Sequence, residues 1–85
     1  MKNAPEKRFR AGAVSATVWL NEGKSEKGDS SKWRTISLQR SYKDKEEKWQ
    51  NTSNMRINDL PRATLVLQRA YEYLVSTESN DEIAM

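Results

Sequence analysis

The sequence predicts an α+β domain, in which a twisted antiparallel sheet of three to four strands is followed by one C-terminal helix packed on one face of the sheet. Two observations carry this prediction. Between residues 9 and 57, apolar and polar side chains alternate in three segments, which is typical of strands with one buried face. Residues 58–75 instead repeat apolar side chains at helical spacing. Polar stretches separate the strands and suit hairpin connections, so we expect every strand to be antiparallel to its neighbour.

The composition indicates a thin hydrophobic core. The chain has 85 residues, of which 35% are apolar, and its mean hydropathy is −0.98. A single domain of this size buries a limited apolar surface, and oligomerisation is a common remedy. We therefore expect a homodimer. The apolar runs are far shorter than the roughly 20 residues that span a bilayer, and neither terminus resembles a signal peptide. Together with the absence of cysteine, this predicts a cytoplasmic protein with no membrane partner.

The composition also leaves few routes to catalysis. The chain contains no cysteine and no histidine, which excludes disulfides, the common zinc and iron–sulfur sites, and cysteine or histidine nucleophiles. The carboxylates of Asp44, Glu46 and Glu47 share a charged turn, where they cannot be desolvated for acid–base work. The glycines of residues 21–32 do not match the spacing of phosphate-binding loops. We therefore expect no enzyme activity, no metal and no cofactor.

Charge is distributed unevenly along the chain. All 15 basic residues lie within residues 1–76, together with nine of the 12 acidic residues, so this part carries 15 − 9 = +6. Residues 77–85 contain Glu78, Asp81 and Glu82 and no basic residue. A basic body favours a polyanionic partner, although the same charge density is also typical of the solvated surface of a thermostable protein.

Three regions are predicted along the chain. Residues 1–8 are polar, include Pro5 and lack periodicity, which indicates a flexible basic arm. Residues 9–76 are expected to form a single β-β-β-α domain, or a β-β-β-β-α domain if Gly12 divides the first strand. Residues 77–85 lose the apolar periodicity and are predicted to be an acidic disordered tail.

The first predicted strand spans residues 9–20, with its even positions from Val14 to Leu20 facing inward. Residues 21–32 are polar and glycine-containing and are predicted to form a loop. The second strand spans residues 33–43, again with even positions inward. Arg40 interrupts this inner pattern, so we expect it to turn out at a bulge or to reach past the edge of the helix into water. Residues 44–48 form a charged turn.

The third predicted strand spans residues 49–57 and is an edge strand with a polar centre. Its phase places Trp49 in the core. The helix of residues 58–75 follows, with Asp59 as N-cap and Pro61 in the first turn. Its helical wheel predicts a buried arc made of Leu60, Ala63, Leu67, Ala70, Tyr71 and Leu74. Leu65 and Tyr73 lie off this arc, which favours a second packing surface and hence the homodimer.

The face of the sheet opposite the helix is the candidate binding surface. Aromatic rings on an exposed sheet stack on unpaired bases, while hydroxyl, amide and cationic groups contact bases and phosphates. An alternative reading is structural, since tryptophan and threonine also suit any pleated surface. The predicted nucleic-acid-binding residues are Trp19, Trp33, Thr35, Ser37, Gln39, Lys43, Gln50, Thr52 and Arg56.

The order of strands and helix over residues 9–75, with basic and aromatic strands, resembles the positive-cofactor-four and Whirly superfamily of single-stranded DNA-binding proteins. The resemblance implies a dimer formed through the helices and a sheet that binds single strands. Residues 33–45 and 58–74 are also similar to segments of small uncharacterised archaeal proteins, a likeness that implies no activity. We therefore expect sequence-tolerant binding of single-stranded DNA or RNA, with DNA preferred by analogy with that superfamily. The alternative is a small protein–protein interaction module with no nucleic-acid ligand.

Overall fold

The computed structural model describes residues 2–82, and side chains from residue 3 to residue 76. Its four strands form one antiparallel sheet in the order β1-β2-β3-β4, and a single C-terminal helix lies against one face. The predicted fold class is confirmed. The elements are β1 (Lys2–Ala11), β2 (Val14–Lys24), β3 (Ser30–Lys43), β4 (Trp49–Thr52), a 3-10 turn (Ile57–Asp59) and α1 (Leu60–Glu82).

A tight turn at Gly12 divides the first predicted strand into β1 and β2. Gly12 has φ +61°, a backbone conformation that favours glycine. The prediction of a flexible arm is wrong for residues 2–8, which belong to β1 and pair with β2 from Lys2 opposite Glu22 onward. Pro5 is tolerated because β1 is an edge strand, and the register shifts between Pro5 and Lys7. The sequence did not indicate this strand, because most of β1 is exposed and its polar side chains show no apolar alternation.

The second hairpin is also longer than predicted. β2 continues to Lys24 and β3 begins at Ser30, so the predicted loop of residues 21–32 is reduced to a turn at residues 25–29. Residues 24–33 are exposed throughout. A strand segment that is exposed on both faces needs no apolar alternation, so the hydrophobic pattern could not reveal it.

β4 is shorter than predicted and has the opposite phase. It ends at Thr52, and its register places Trp49 opposite Lys43 and Thr52 opposite Arg40. Trp49 is therefore on the open side and 66% exposed, which contradicts its predicted core position. The turn of residues 44–48 sets this register, with Glu47 at φ 62°. A one-residue change in register moves every side chain of a strand to the other face.

The core lies between β2 and the helix. Val14, Ala16 and Val18 are fully buried, which confirms the predicted inner face of this strand. They pack against three buried helix residues, namely Ala63, Val66 and Ala70. The small side chains allow the helix to approach the sheet closely, and they also explain why the core is thin.

The helix buries only part of the predicted arc, in which Ala63 and Ala70 are buried and Leu74 packs against the core. Val66 is fully buried, whereas Leu60, Leu67 and Tyr71 are 51%, 40% and 63% exposed. Tyr73, predicted to lie off the packed face, instead contacts Phe9 of β1 with ring centroids 5.9 Å apart. This contact holds the helix over β1 and β2. The exposed half of the predicted arc, namely Leu60, Leu67 and Tyr71, therefore lies on the flank of the helix that faces β3.

Both ends of the helix differ from the prediction. Asp59 is not the N-cap, because it occupies the third position of a 3-10 turn capped by Arg56 that runs directly into α1. α1 continues through Glu82, so residues 77–82 of the predicted disordered tail are helical, and residues 83–85 lie outside the described residues. No glycine or proline follows Pro61 to stop the helix earlier.

The molecule is thin and elongated. Its extents are 48 × 33 × 16 Å and its radius of gyration is 16.1 Å, against roughly 12 Å for a compact domain of this length. Within residues 2–82, no helix combines the length and apolar character needed to cross a membrane.

Candidate nucleic-acid interface

Pairing registers define the open face of the sheet, because directly opposite residues in an antiparallel pair project to the same side. Arg8, Thr17 and Ser37 form one row across three strands, and Arg10, Ser15 and Gln39 form the next. The open face comprises Asn3, Pro5, Arg8, Arg10, Ser15, Thr17, Trp19, Asn21, Gly23, Ser31, Trp33, Thr35, Ser37, Gln39, Ser41, Lys43, Trp49 and Asn51. This set contains all three tryptophans of the chain, three cationic side chains and no carboxylate.

Two of the tryptophans lie near the same end of the sheet. The Trp19 indole donates from Nε1 to Ser37 Oγ at 2.9 Å, which fixes its ring beside β3. Trp33 lies over Gly23, where an added Cβ would approach the ring atom Cη2 to 3.3 Å. Glycine thus gives the ring space to lie along the sheet. Trp33 remains 41% exposed, so part of its surface is available for stacking.

A buried amide supports the strand beneath these rings. Asn21 is 8% exposed, and its Nδ2 donates to the Trp33 carbonyl oxygen at 3.3 Å and to Thr35 Oγ1 at 3.0 Å. These bonds satisfy the amide and fix β2 and β3 relative to each other. At the opposite end of β3, Lys43 Nζ lies 5.3 Å from the centroid of the Trp49 ring. This cation–π pair places a ring and a charge together at a corner of the open face.

Two arginines of β1 lie along the other edge. Arg8 Nε donates to Thr17 Oγ1 at 3.2 Å, and Arg10 Nε donates to the Gly12 carbonyl oxygen at 3.1 Å. Within residues 3–76, neither guanidinium forms an ion pair with a carboxylate. Both arginines line a shallow depression, together with Ser15, Gln39, Ser41 and Asn51.

Arginines on the helix-bearing face have carboxylate partners instead. Arg34 Nε lies 2.9 Å from Glu6, and Arg40 and Arg56 lie 3.1 Å and 3.2 Å from Asp59. The sequence analysis expected Arg40 to turn out at a bulge or to reach into water. The structure shows neither. The Arg40 side chain is 15% exposed because Asp59 provides a charge partner beneath the helix start.

These contacts lower the pKa values of both carboxyl groups. Hydrogen bonds from the Tyr73 hydroxyl and from Arg34 lower the pKa of Glu6. The pKa of Asp59 is lowered first by the Arg56 side chain and then by the Arg56 backbone N–H. Each carboxylate is thus stabilised in its charged form within the fold.

The predicted binding residues divide into two groups. The structure brings together on the open face Trp19, Trp33, Thr35, Ser37, Gln39 and Lys43. Gln50 and Thr52 lie instead on the phase that faces the helix side, because β4 has the opposite register from the predicted one. Arg56 follows β4 outside the sheet and is bonded to Asp59, so it does not belong to the open face.

Four of the open-face residues that sequence reasoning missed matter for the site. Arg8 and Arg10 were assigned to the arm or left without a role, Trp49 was assigned to the core, and Asn51 was assigned to the inner phase of the third strand. A signal for the arginines was present, since Phe9 stands between them and alternation places both on the opposite side from it.

Among the side chains of residues 3–76, no group of three or more acidic, histidine or cysteine side chains is placed to hold a metal ion. The sequence matches no protein-family model, and comparisons with curated proteins and with solved structures give no match. A functional assignment therefore depends on the fold and on the chemistry of the open face.

Proposed function

We propose that this protein binds single-stranded nucleic acid, DNA in the first instance, across the open face of its sheet. The observation that carries the proposal is the composition of that face, which combines three tryptophans with three cations and no carboxylate. Rings that are partly exposed on a flat surface offer stacking platforms for bases. Cations without carboxylate partners attract phosphates. The expected cytoplasmic location and the superfamily resemblance are part of this proposal.

The shape of the sheet favours a single strand over a duplex. Four strands at about 4.8 Å spacing are roughly 14 Å wide, which exceeds the roughly 12 Å of the B-DNA major groove. A duplex also keeps its bases paired and stacked, so they are not available to Trp33 or Trp49. An unpaired strand can instead lie across the sheet with its bases turned toward the rings.

The polar residues of the open face favour binding that tolerates many sequences. Serine, threonine, asparagine and glutamine side chains can each donate and accept hydrogen bonds. Several of them are already bonded within the sheet, as Ser37 is to Trp19 and Ser41 is to Asn51. Stacking, which every base can provide, then contributes more to affinity than base-specific hydrogen bonds do.

We also propose that the protein is a homodimer formed through the exposed flank of the helix. Leu60, Leu67 and Tyr71 are exposed on the helix flank that faces β3, and Ile36 and Tyr42 are exposed on the inner face of that strand. The chain exposes 6853 Å², against roughly 5,200 Å² for a compact protein of 9.9 kDa. This excess per chain is about twice the roughly 800 Å² that each partner buries in a standard interface.

Fluorescence anisotropy with labelled oligo(dT), oligo(rU) and a duplex of equal length tests the binding proposal. We expect the single strands to bind more tightly than the duplex, with affinity that decreases as salt rises. Trp33→Ala should weaken binding by about 1 to 3 kcal/mol. Leu65→Ala removes an exposed apolar side chain from the helix and should leave affinity unchanged. An absence of oligonucleotide binding at low salt would contradict the proposal and favour a protein-interaction module.

A further inference from the structure

We propose that the depression beside Arg8 and Arg10 is a phosphate subsite, which holds a backbone phosphodiester of the bound strand apart from the Trp19 and Trp33 end of the face. The inference rests on the proposed function and adds a division of roles within the open face. The depression is lined by Arg8, Arg10, Ser15, Gln39, Ser41 and Asn51. These residues come from all four strands, so the subsite depends on the whole sheet.

The size of the depression suits a phosphate group. Its volume is about 60 Å³, against about 10–15 Å³ that one water molecule needs by the same measure. The depression therefore has room for a tetrahedral anion. Its lining is polar throughout, with hydroxyl, amide and guanidinium groups and no aromatic ring.

The two arginines are held in position while part of each guanidinium is left available. Nε of Arg8 and Nε of Arg10 donate to oxygen acceptors of the protein, which restrains both side chains. Within residues 3–76, the terminal Nη groups of these two residues have no acceptor. A guanidinium presents a planar fork of donors that matches two phosphate oxygens. Two such forks beside one depression give a preorganised anion site.

The subsite is separated from the end of the face that carries Trp19 and Trp33. Gln39 and Trp33 are six positions apart on β3, which is roughly 20 Å at about 3.3 Å per residue. Stacked bases repeat every 3.4 Å or so along a strand, so one strand of several nucleotides can reach both places at once. Affinity should therefore divide into a salt-dependent part at the arginines and a stacking part at the rings.

Salt dependence of oligo(dT) binding separates the two parts. Arg10→Gln should weaken binding and reduce the slope of log affinity against log salt by about 0.7, the value for one phosphate on a single strand. Trp33→Ala should weaken binding with the slope unchanged.

Two further variants serve as controls. Arg69→Gln removes the same charge from an exposed helix position and is the matched control, with affinity and slope expected to remain at wild-type values. Arg8→Lys keeps the charge and removes the fork, so it should weaken binding without changing the slope.

Two further ligands identify the source of the phosphate. An oligonucleotide with uncharged methylphosphonate linkages should bind wild type and Arg10→Gln equally, because the subsite then has no anion to hold. Inorganic tripolyphosphate should compete weakly with oligo(dT). If it instead binds more tightly than oligo(dT) and loses this affinity in Arg10→Gln, the subsite serves a free polyphosphate and the inference is overturned.

The remaining outcomes distinguish the inference from the proposed function. If oligo(dT) binds and Trp33→Ala weakens it, while Arg10→Gln and Arg8→Lys behave as wild type, the subsite is wrong and the proposed function stands. If no single strand binds to the wild-type protein, both are wrong. Arg10 is exposed and bonded to one carbonyl of a turn, so Arg10→Gln should keep the wild-type melting temperature, which excludes misfolding as the cause of any loss.

Discussion

The guanidinium of Arg40 lies 3.1 Å from the carboxylate of Asp59, on the face of the sheet opposite the tryptophans. This pair joins β3 to the segment where the helix begins. The same carboxylate accepts the backbone N–H of Arg56 at 2.9 Å and so caps the 3-10 turn, which the Asp59 N–H closes by donating to the Arg56 carbonyl oxygen. Arginines on this face therefore stabilise the fold, whereas Arg8 and Arg10 on the open face have no carboxylate partner among residues 3–76.

Asp59→Asn should lower the melting temperature, because it removes the charge that both Arg40 and Arg56 contact. Asp29→Asn, in an exposed turn, is the matched control and should have little effect. Thermal unfolding followed by circular dichroism measures both variants. A double-mutant cycle with Arg40→Gln isolates the pair, and the two changes together should cost less than the sum of the single changes. Equal melting temperatures for Asp59→Asn and Asp29→Asn would contradict this role.

Stability should fall in acid through Glu6 and Asp59. Their pKa values in the folded protein are lowered from the usual 4.5 and 3.8, so the unfolded chain takes up these protons at a higher pH than the folded chain does. The contribution to the free energy of unfolding is complete above the unfolded values and is lost as the pH falls through the folded values.

Urea unfolding between neutral pH and pH 3 measures this dependence. Glu6→Gln and Asp59→Asn should each flatten the curve below pH 5, since each removes one titrating group. Glu26→Gln, in an exposed turn, removes a carboxyl group of the same kind and should leave the curve unchanged. A curve that is equally steep in all four proteins would show that other groups control acid unfolding.

Sequence patterns predicted those parts of the fold in which one face is buried and the other is wet. Val14, Ala16 and Val18 show that alternation clearly, and their strand was assigned with the correct inner face. The pattern was lost where few apolar side chains mark an inner face, as at residues 2–8 and 21–24. Hydrophobicity contains little information about such strands, which form because their backbone pairs with a neighbour that is already placed.

Residues of the candidate site could be predicted from the sequence only where the register of their strand could also be predicted. Trp19 and Trp33 follow directly from the alternation of β2 and β3. Trp49 does not, because its face is decided by the turn of residues 44–48. The helix raises a different difficulty. A helical wheel shows all apolar side chains of the helix and does not distinguish those that pack on the sheet from those that remain exposed. Leu67 and Val66 count equally on the wheel, although the sheet of this chain buries Val66 alone of the two.

Gly12→Ala should destabilise the β1–β2 turn. A positive φ costs a residue with a side chain about 1 kcal/mol or more, and the new Cβ would also lie 3.0 Å from Nε of Arg62. Gly28→Ala is the matched control, because Gly28 also has a positive φ but no atom within 4 Å of the added Cβ. Chemical denaturation compares the two. Gly12→Ala should be the more destabilising, and the difference measures the crowding against Arg62. Equal losses would mean that the Arg62 side chain moves aside without cost.

Leu67→Lys should convert the proposed homodimer to a monomer without unfolding it. Leu67 is 40% exposed on the helix flank that faces β3, so a lysine there remains solvated in the monomer but introduces a charge into an apolar interface. Leu65→Lys is a close control, because Leu65 is 43% exposed on the opposite side of the same helix. Sedimentation equilibrium at micromolar concentration should give twice 9.9 kDa for wild type and Leu65→Lys, and 9.9 kDa for Leu67→Lys. A wild-type mass of 9.9 kDa would refute the dimer, and a Leu67→Lys dimer would place its interface elsewhere.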